Sequence, residues 1–120
     1  MKILVAEDNL TNQTLMRKLL EKAGYSPVIV ENGNLVMAEL EKNSYDVILM
    51  DLHMPEMDGI ECAKMISGKY AAKKPKIIAL TADAYKETED ECREAGMDGF
   101  LTKPFNLENM LEMLKSFKEA

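Results

Sequence analysis

The stretch ILMDLHMPEMDG, residues 48–59, drives an apolar run into a lone carboxylate, Asp51, and then breaks it with Pro55 and Asp58-Gly59. Short apolar runs without alternation suit strands buried on both faces of a parallel sheet. Val47–Met50 is one of five such runs. The others are Ile3–Ala6, Val28–Val30, Ile77–Leu80 and a weaker Phe100-Leu101. Helical stripes lie between and after them. Leu15, Met16, Leu19, Leu20 and Ala23 form the first face, with Gly24 placed to end that helix. Val36, Met37 and Leu40 form the second, and Ile60, Ala63 and Ile66 the third. Leu107, Met110, Leu111, Leu114 and Phe117 form the last, with Asn106 as a fair N-cap. The segment YKETEDECREA, residues 85–95, is a helix with only Cys92 and Ala95 to bury. A solvated surface helix and a movable element both fit it.

Strand and helix thus alternate five times. That order gives an α/β fold: a doubly wound five-stranded parallel sheet, flavodoxin-like, (βα)5, with strand order 2-1-3-4-5. The 120 residues suffice for one domain, residues 1–120, with one core. A net charge of −6 argues against direct nucleic-acid binding, which needs a basic face. It suits a cytoplasmic protein and a divalent cation. No apolar run reaches membrane-spanning length. Cys62 and Cys92 form no metal or disulfide pattern and read as small, partly buried hydrophobes in a reducing compartment. The ten methionines read as flexible core filler, with Met54 and Met57 either buried or part of a docking surface.

In open sheets of this kind ligands bind outside the carboxyl ends of the strands. The first strand ends in Glu7-Asp8, the third in Asp51, the fourth in Thr81-Ala82 and the fifth in Thr102-Lys103-Pro104. The second ends at Glu31-Asn32-Gly33, on the outer side of the sheet. Three acids therefore converge and must be offset. A hard cation with oxygen ligands, Mg²⁺ above all, does so, and Lys103 adds a further positive charge. The turn after Asp51 leaves its carboxylate accessible. Beside Mg²⁺ and a lysine it is a plausible nucleophile toward phosphorus, with the Thr81 hydroxyl and Lys103 stabilising the phosphoryl oxygens. Small Ala82 leaves room for that group.

On the stretches ILVAEDN, DVILMDLHMPEMDGIE, IIALTA and AGMDGFLTKPF, the chain resembles a response-regulator receiver domain of two-component signalling over essentially its whole length. The resemblance implies that Asp51 accepts phosphate from a phosphohistidine on a histidine kinase or histidine phosphotransfer domain. It implies Asp8 as a direct ligand of Mg²⁺ (or Mn²⁺), Glu7 acting largely through water, and the backbone carbonyl of His53 completing the set. By the same resemblance Thr81 and Lys103 would contact the phosphoryl group, Lys103-Pro104 would be a cis peptide, and Phe100 would be the switch aromatic paired with Thr81. Such a domain is not an enzyme in the usual sense, although it promotes its own phosphorylation and autodephosphorylation. His53, two residues after Asp51, and Asp83, two after Thr81, are expected to flank the phosphoryl group and tune its lifetime. Phosphorylation is expected to repack helix 85–95 and present it, with the fifth strand and last helix, to a downstream protein. EDNLTNQ, residues 7–13, is similar to receivers of hybrid kinases and phosphorelays. The chain stops at its last helix, so it is a stand-alone receiver or one cut from a longer protein.

Three rivals share parts of this pattern. A flavin-binding module needs a phosphate loop where Glu7-Asp8-Asn9 stands. A haloacid-dehalogenase-like phosphatase carries its nucleophile on the first strand. A degenerate receiver acts only as a protein-binding module.

Overall fold

The Asp51 strand occupies the middle of the molecule. The computed structural model describes residues 1–82, 85–103 and 107–119, apart from the side chains at 72, 107, 118 and 119. In chain order the elements are β1 (Ile3–Ala6), α1 (Leu10–Lys22), β2 (Val28–Val30), α2 (Gly33–Lys42) and β3 (Val47–Asp51). They continue with α3 (Gly59–Tyr70), a 3-10 turn (Ala71–Lys73), β4 (Lys76–Thr81), α4 (Lys86–Glu94), β5 (Gly99–Thr102) and α5 (Leu107–Glu119). The sheet is parallel throughout in the order β2-β1-β3-β4-β5, as the alternating pattern predicts.

Alternate strand residues point to opposite faces. Leu4, Ala6, Ile48, Met50, Ile77 and Ala79 pack under α2, α3 and α4. Ile3, Val5, Val47, Leu49, Ile78 and Leu80 pack against α1 and α5. Both faces of β1, β3 and β4 are covered, so these strands read as continuous apolar runs. Burying each large side chain contributes about 1.5–3 kcal/mol. The chain winds outward from β1 to β2 and then crosses back to β3. The direction of winding reverses between β1 and β3, and a crevice opens at their carboxyl ends.

Several sequence expectations change in detail. Only Met16 and Leu20 of α1 are buried, whereas Leu15 is 51% exposed. Leu15 lies 100° around the helix from Met16, beyond the narrow stripe that the sheet covers. Val28 is 39% exposed because β2 is an edge strand rather than one buried on both faces. The cysteines are fully rather than partly buried, Cys62 under α2 and Cys92 as the main anchor of α4. Asp58-Gly59 is not only a turn. The Asp58 side chain accepts from the Glu61 amide at 2.8 Å and caps α3, and Gly59 is that helix's first residue. The bend itself is a γ-turn at Pro55–Met57, with Glu56 at φ 69° and the Met57 amide donating to the Pro55 carbonyl.

Other expectations stand. Gly24 takes φ 95° just past α1, while the Tyr25 amide donates to the Leu20 carbonyl at 2.9 Å. Five of the ten methionines, Met16, Met50, Met54, Met97 and Met110, are core residues, whereas Met65 is 45% exposed and is not core filler. Met57 is half-buried and packs on that core. Among the described residues no helix is long and apolar enough to cross a membrane. Asn106 and the Lys103-Pro104 peptide lie outside the described residues.

Candidate functional site

The crevice is built by four strand ends. β1 delivers Glu7 and Asp8, β3 delivers Asp51, β4 delivers Thr81, and the residue after β5 is Lys103. Carboxylate oxygens of Glu7, Asp8 and Asp51 lie within 4.8 Å of one another. Glu7 is 1% exposed and Asp51 5%, whereas Asp8 faces solvent. Each buried acid is individually held. The Glu7 carboxylate accepts from the Asn9 amide at 3.3 Å and from Lys103 Nζ at 3.1 Å. The Asp51 carboxylate accepts from the His53 amide at 3.0 Å and from Lys103 Nζ at 3.3 Å.

Lys103 is therefore the bridge between two carboxylates that come from distant parts of the chain. Burial by itself disfavours its charge, but hydrogen bonding to Glu7 and the charges of Asp51 and Glu7 outweigh that, and its pKa is raised. Its position is fixed from the backbone: the Lys103 amide donates to the Thr81 carbonyl at 2.6 Å. One ammonium against three carboxylates leaves the cluster with net negative charge. Clustered hard oxygens with unbalanced charge are the donor set that a divalent cation fits.

The end of β3, where Asp51 stands, is packed tightly from outside. The Gly59 amide donates to the Leu52 carbonyl at 3.0 Å, and a Cβ at Gly59 would stand 2.5 Å from the Asp51 carbonyl oxygen. A Cβ at Gly33, the first residue of α2, would meet Met57 at 2.9 Å. Sequence reading treats Gly59 as a turn residue only. Its role in the packing depends on how closely α3 approaches β3, which local pattern does not encode.

Glu7, Asp8, Asp51 and Lys103 are thus brought together. Thr81 is buried at the end of β4, in register with Thr102 of β5. The His53 side chain is exposed, and it is the residue's backbone amide that reaches Asp51. Phe100 stands apart from the acids. It is half-buried against the α2–α4 core and lines a shallow groove with Cys92, Arg93 and Met97. Asp83 lies outside the described residues. Gln13 is a contact that sequence reading missed: its side-chain amide donates to the Glu7 carbonyl at 2.7 Å. The available signal was its place on the first helix, four residues after Asn9.

Comparison with known proteins agrees with this geometry. Residues 3–115 match the family described as the response regulator receiver domain. The polar-differentiation response regulator DivK of Brucella anthropi is 31% identical over 96% of this chain and 94% of its own length. Hybrid signal transduction histidine kinase K of Dictyostelium discoideum is 40% identical over 91% of this chain, and the match spans 10% of that protein. The chain therefore corresponds to a small part of the hybrid kinases it matches. Among solved structures, the receiver domain of sensor histidine kinase PA1611 from Pseudomonas aeruginosa superposes with a TM-score of 0.91 at 34% identity, covering 99% of this chain and 98% of that one. That structure has a magnesium ion coordinated in its active-site cleft.

Proposed function

The chain belongs to the response-regulator receiver domain family, and we propose that residues 1–120 form one such domain, which accepts a phosphoryl group on Asp51 from a partner's phosphohistidine. The observation that carries this reading is the Glu7–Asp8–Asp51 cluster with Lys103 bridging its two buried members. An Asp51 carboxylate oxygen attacks phosphorus, the oxygen–phosphorus bond forms, and the bond to the imidazole nitrogen breaks with histidine as leaving group. Asp8, Asp51 and the His53 carbonyl would hold Mg²⁺, or Mn²⁺ in its place, with Glu7 supporting the site. When bound, the cation supplies the positive charge that lets a phosphoryl group approach these acids.

The remaining roles fall to the chain itself. The His53 amide orients the Asp51 carboxylate, since it donates to one oxygen and leaves the other to Lys103. Once phosphate is attached, Lys103 pairs with it and Thr81 turns its hydroxyl toward it. Phe100 takes the space behind Thr81. α4 is the element that responds, because Cys92 is its only buried residue, with Ala95 just beyond its end. The α4–β5–α5 face then engages a downstream protein. The pairing partner is a histidine kinase or phosphotransfer domain, and similarity to both hybrid kinases and DivK suits either an embedded or a free receiver.

The test is intact-protein mass after incubation with a small phosphodonor and Mg²⁺, beside Asp51→Ala and an EDTA control. One added phosphoryl, lost in both controls, is the expected result. No added mass, together with no beryllofluoride complex, would leave a protein-binding module in its place.

A further inference from the structure

The heptapeptide EDNLTNQ, Glu7–Gln13, ends in a glutamine to which the proposed chemistry gives no part. Gln13 sits early in α1, and helical side chains lean toward the N-terminus, so its amide reaches back over the first turn. There Nε2 donates to the Glu7 carbonyl at 2.7 Å. Helix capping does not need this bond. The Asn9 side chain already accepts from the Asn12 amide at 3.0 Å, and the Gln13 backbone amide already donates to the Asn9 carbonyl at 2.9 Å.

The bond completes the fixing of Glu7. Its amide donates to the Val30 carbonyl at 3.0 Å, its two carboxylate oxygens are held by Asn9 and Lys103, and its carbonyl is held by Gln13. Asp8 is different. Its side chain is exposed, and among the described residues no hydrogen bond or ion pair holds it. Its carboxylate stands in the cluster only because of how the Glu7–Asp8 peptide is turned. Gln13 grips the oxygen of that peptide.

We infer that Gln13 is a positioning residue for the cation site, orienting the Glu7–Asp8 peptide so that the Asp8 carboxylate faces Asp51. The inference rests on the cation-binding reading above. The same contact links the start of α1 to the peptide that carries Asp8.

The experiment compares wild type, Gln13→Met and Thr14→Ala. Methionine keeps the length of the side chain but cannot donate. Thr14→Ala removes a similar side-chain bond on α1, from Oγ1 to the Leu10 carbonyl at 3.0 Å, that does not touch the site. Mg²⁺ affinity is measured by calorimetry, and unfolding is measured in EDTA. Gln13→Met is expected to weaken Mg²⁺ binding about five-fold, the equivalent of one ordinary hydrogen bond of about 1 kcal/mol. Thr14→Ala is expected to bind as wild type does, and the cation-free Asp8 amide resonance should move only in Gln13→Met. Wild-type affinity in Gln13→Met overturns the inference while leaving the cation site standing. A wild-type protein that does not bind Mg²⁺ overturns both. If Gln13→Met does not fold, exchange of the Gln13 side-chain amide in wild type decides: protection that deepens on adding Mg²⁺ is expected, and fast exchange unaffected by Mg²⁺ refutes it.

Discussion

Two alanine substitutions in one helix should have opposite signs. At Gly59 a Cβ would stand 2.5 Å from the Asp51 carbonyl oxygen, 2.9 Å from the Leu52 Cα and 3.1 Å from the Met50 Cγ. Two of these are backbone atoms at the end of β3, where the proposed phosphoacceptor stands, and backbone cannot move aside as a flexible side chain can. Reaching ordinary contact at 3.4 Å requires about 0.9 Å of movement. Overpacking of this kind costs about 1–3 kcal/mol. Ala gains up to about 1 kcal/mol over Gly in a helix interior, less at the first position. The net expectation is a loss of about 1–2 kcal/mol, or about 4–8 °C in Tm.

At Gly68, in the exposed last turn of α3, a Cβ meets nothing within 4 Å, so only the propensity gain of about 0.5–1 kcal/mol remains. Urea and thermal unfolding in EDTA give the two differences without invoking phosphorylation. A second readout follows from the displacement, since misplacing a reacting group by about 1 Å can cost about a hundred-fold in rate. Gly59→Ala should therefore take up phosphoryl from a small donor at least about ten-fold more slowly, whereas Gly68→Ala should match wild type. A Gly59→Ala protein as stable as wild type, or a pair that shifts in the same direction, would refute the packing argument. Normal phosphorylation in a destabilised Gly59→Ala would refute only the claim that the loop is displaced.

Other expectations come from individual side chains. Burial, and then its hydrogen bond to Glu39 at 2.7 Å, push the Tyr45 phenol up to about 12. The folded state thus holds that proton more tightly than the unfolded chain. The resulting stability is whole below the ordinary value of 10.0 and is lost as pH rises through about 12. Ultraviolet titration should show a late tyrosinate component that vanishes in Tyr45→Phe, and an unchanged titration in that variant rules the assignment out. Burial and the charges of Glu61 and Asp58 push the Cys62 thiol to about 12, so a thiol reagent reaches it only after opening. Cys92 should label first, because α4 is anchored by so little apolar surface, and labelling of Cys62 ahead of Cys92 contradicts that view of α4. Asp98 accepts from Lys74 Nζ at 2.6 Å and from the Ile77 amide at 3.0 Å, tying β4 to the start of β5. Asp98→Ala should cost about 1–2 kcal/mol in urea unfolding, and a change below about 0.3 kcal/mol would show that the tie is not needed.

Much of this protein is written locally. Unbroken apolar runs mark strands covered on both sides, 3.6-residue stripes mark helices, and their strict alternation leaves one right-handed parallel architecture. Because ligands gather at the carboxyl ends of such strands, Glu7, Asp8, Asp51, Thr81 and Lys103 could be picked out as one group without coordinates. What tertiary structure alone decided is how each residue is met by others far along the chain. Leu15 reads as core but faces water, since the sheet covers only the Met16–Leu20 stripe. Val28 reads as interior but lies on an edge strand, since β2 ends the sheet order among the described residues. The hold of Lys103 on Glu7 across 96 residues, the fit of Gly59 against the Asp51 carbonyl and the grip of Gln13 on the peptide before Asp8 depend on distances between packed elements. Periodicity fixes which face an element turns inward, but only packing fixes what stands opposite it, and at what distance.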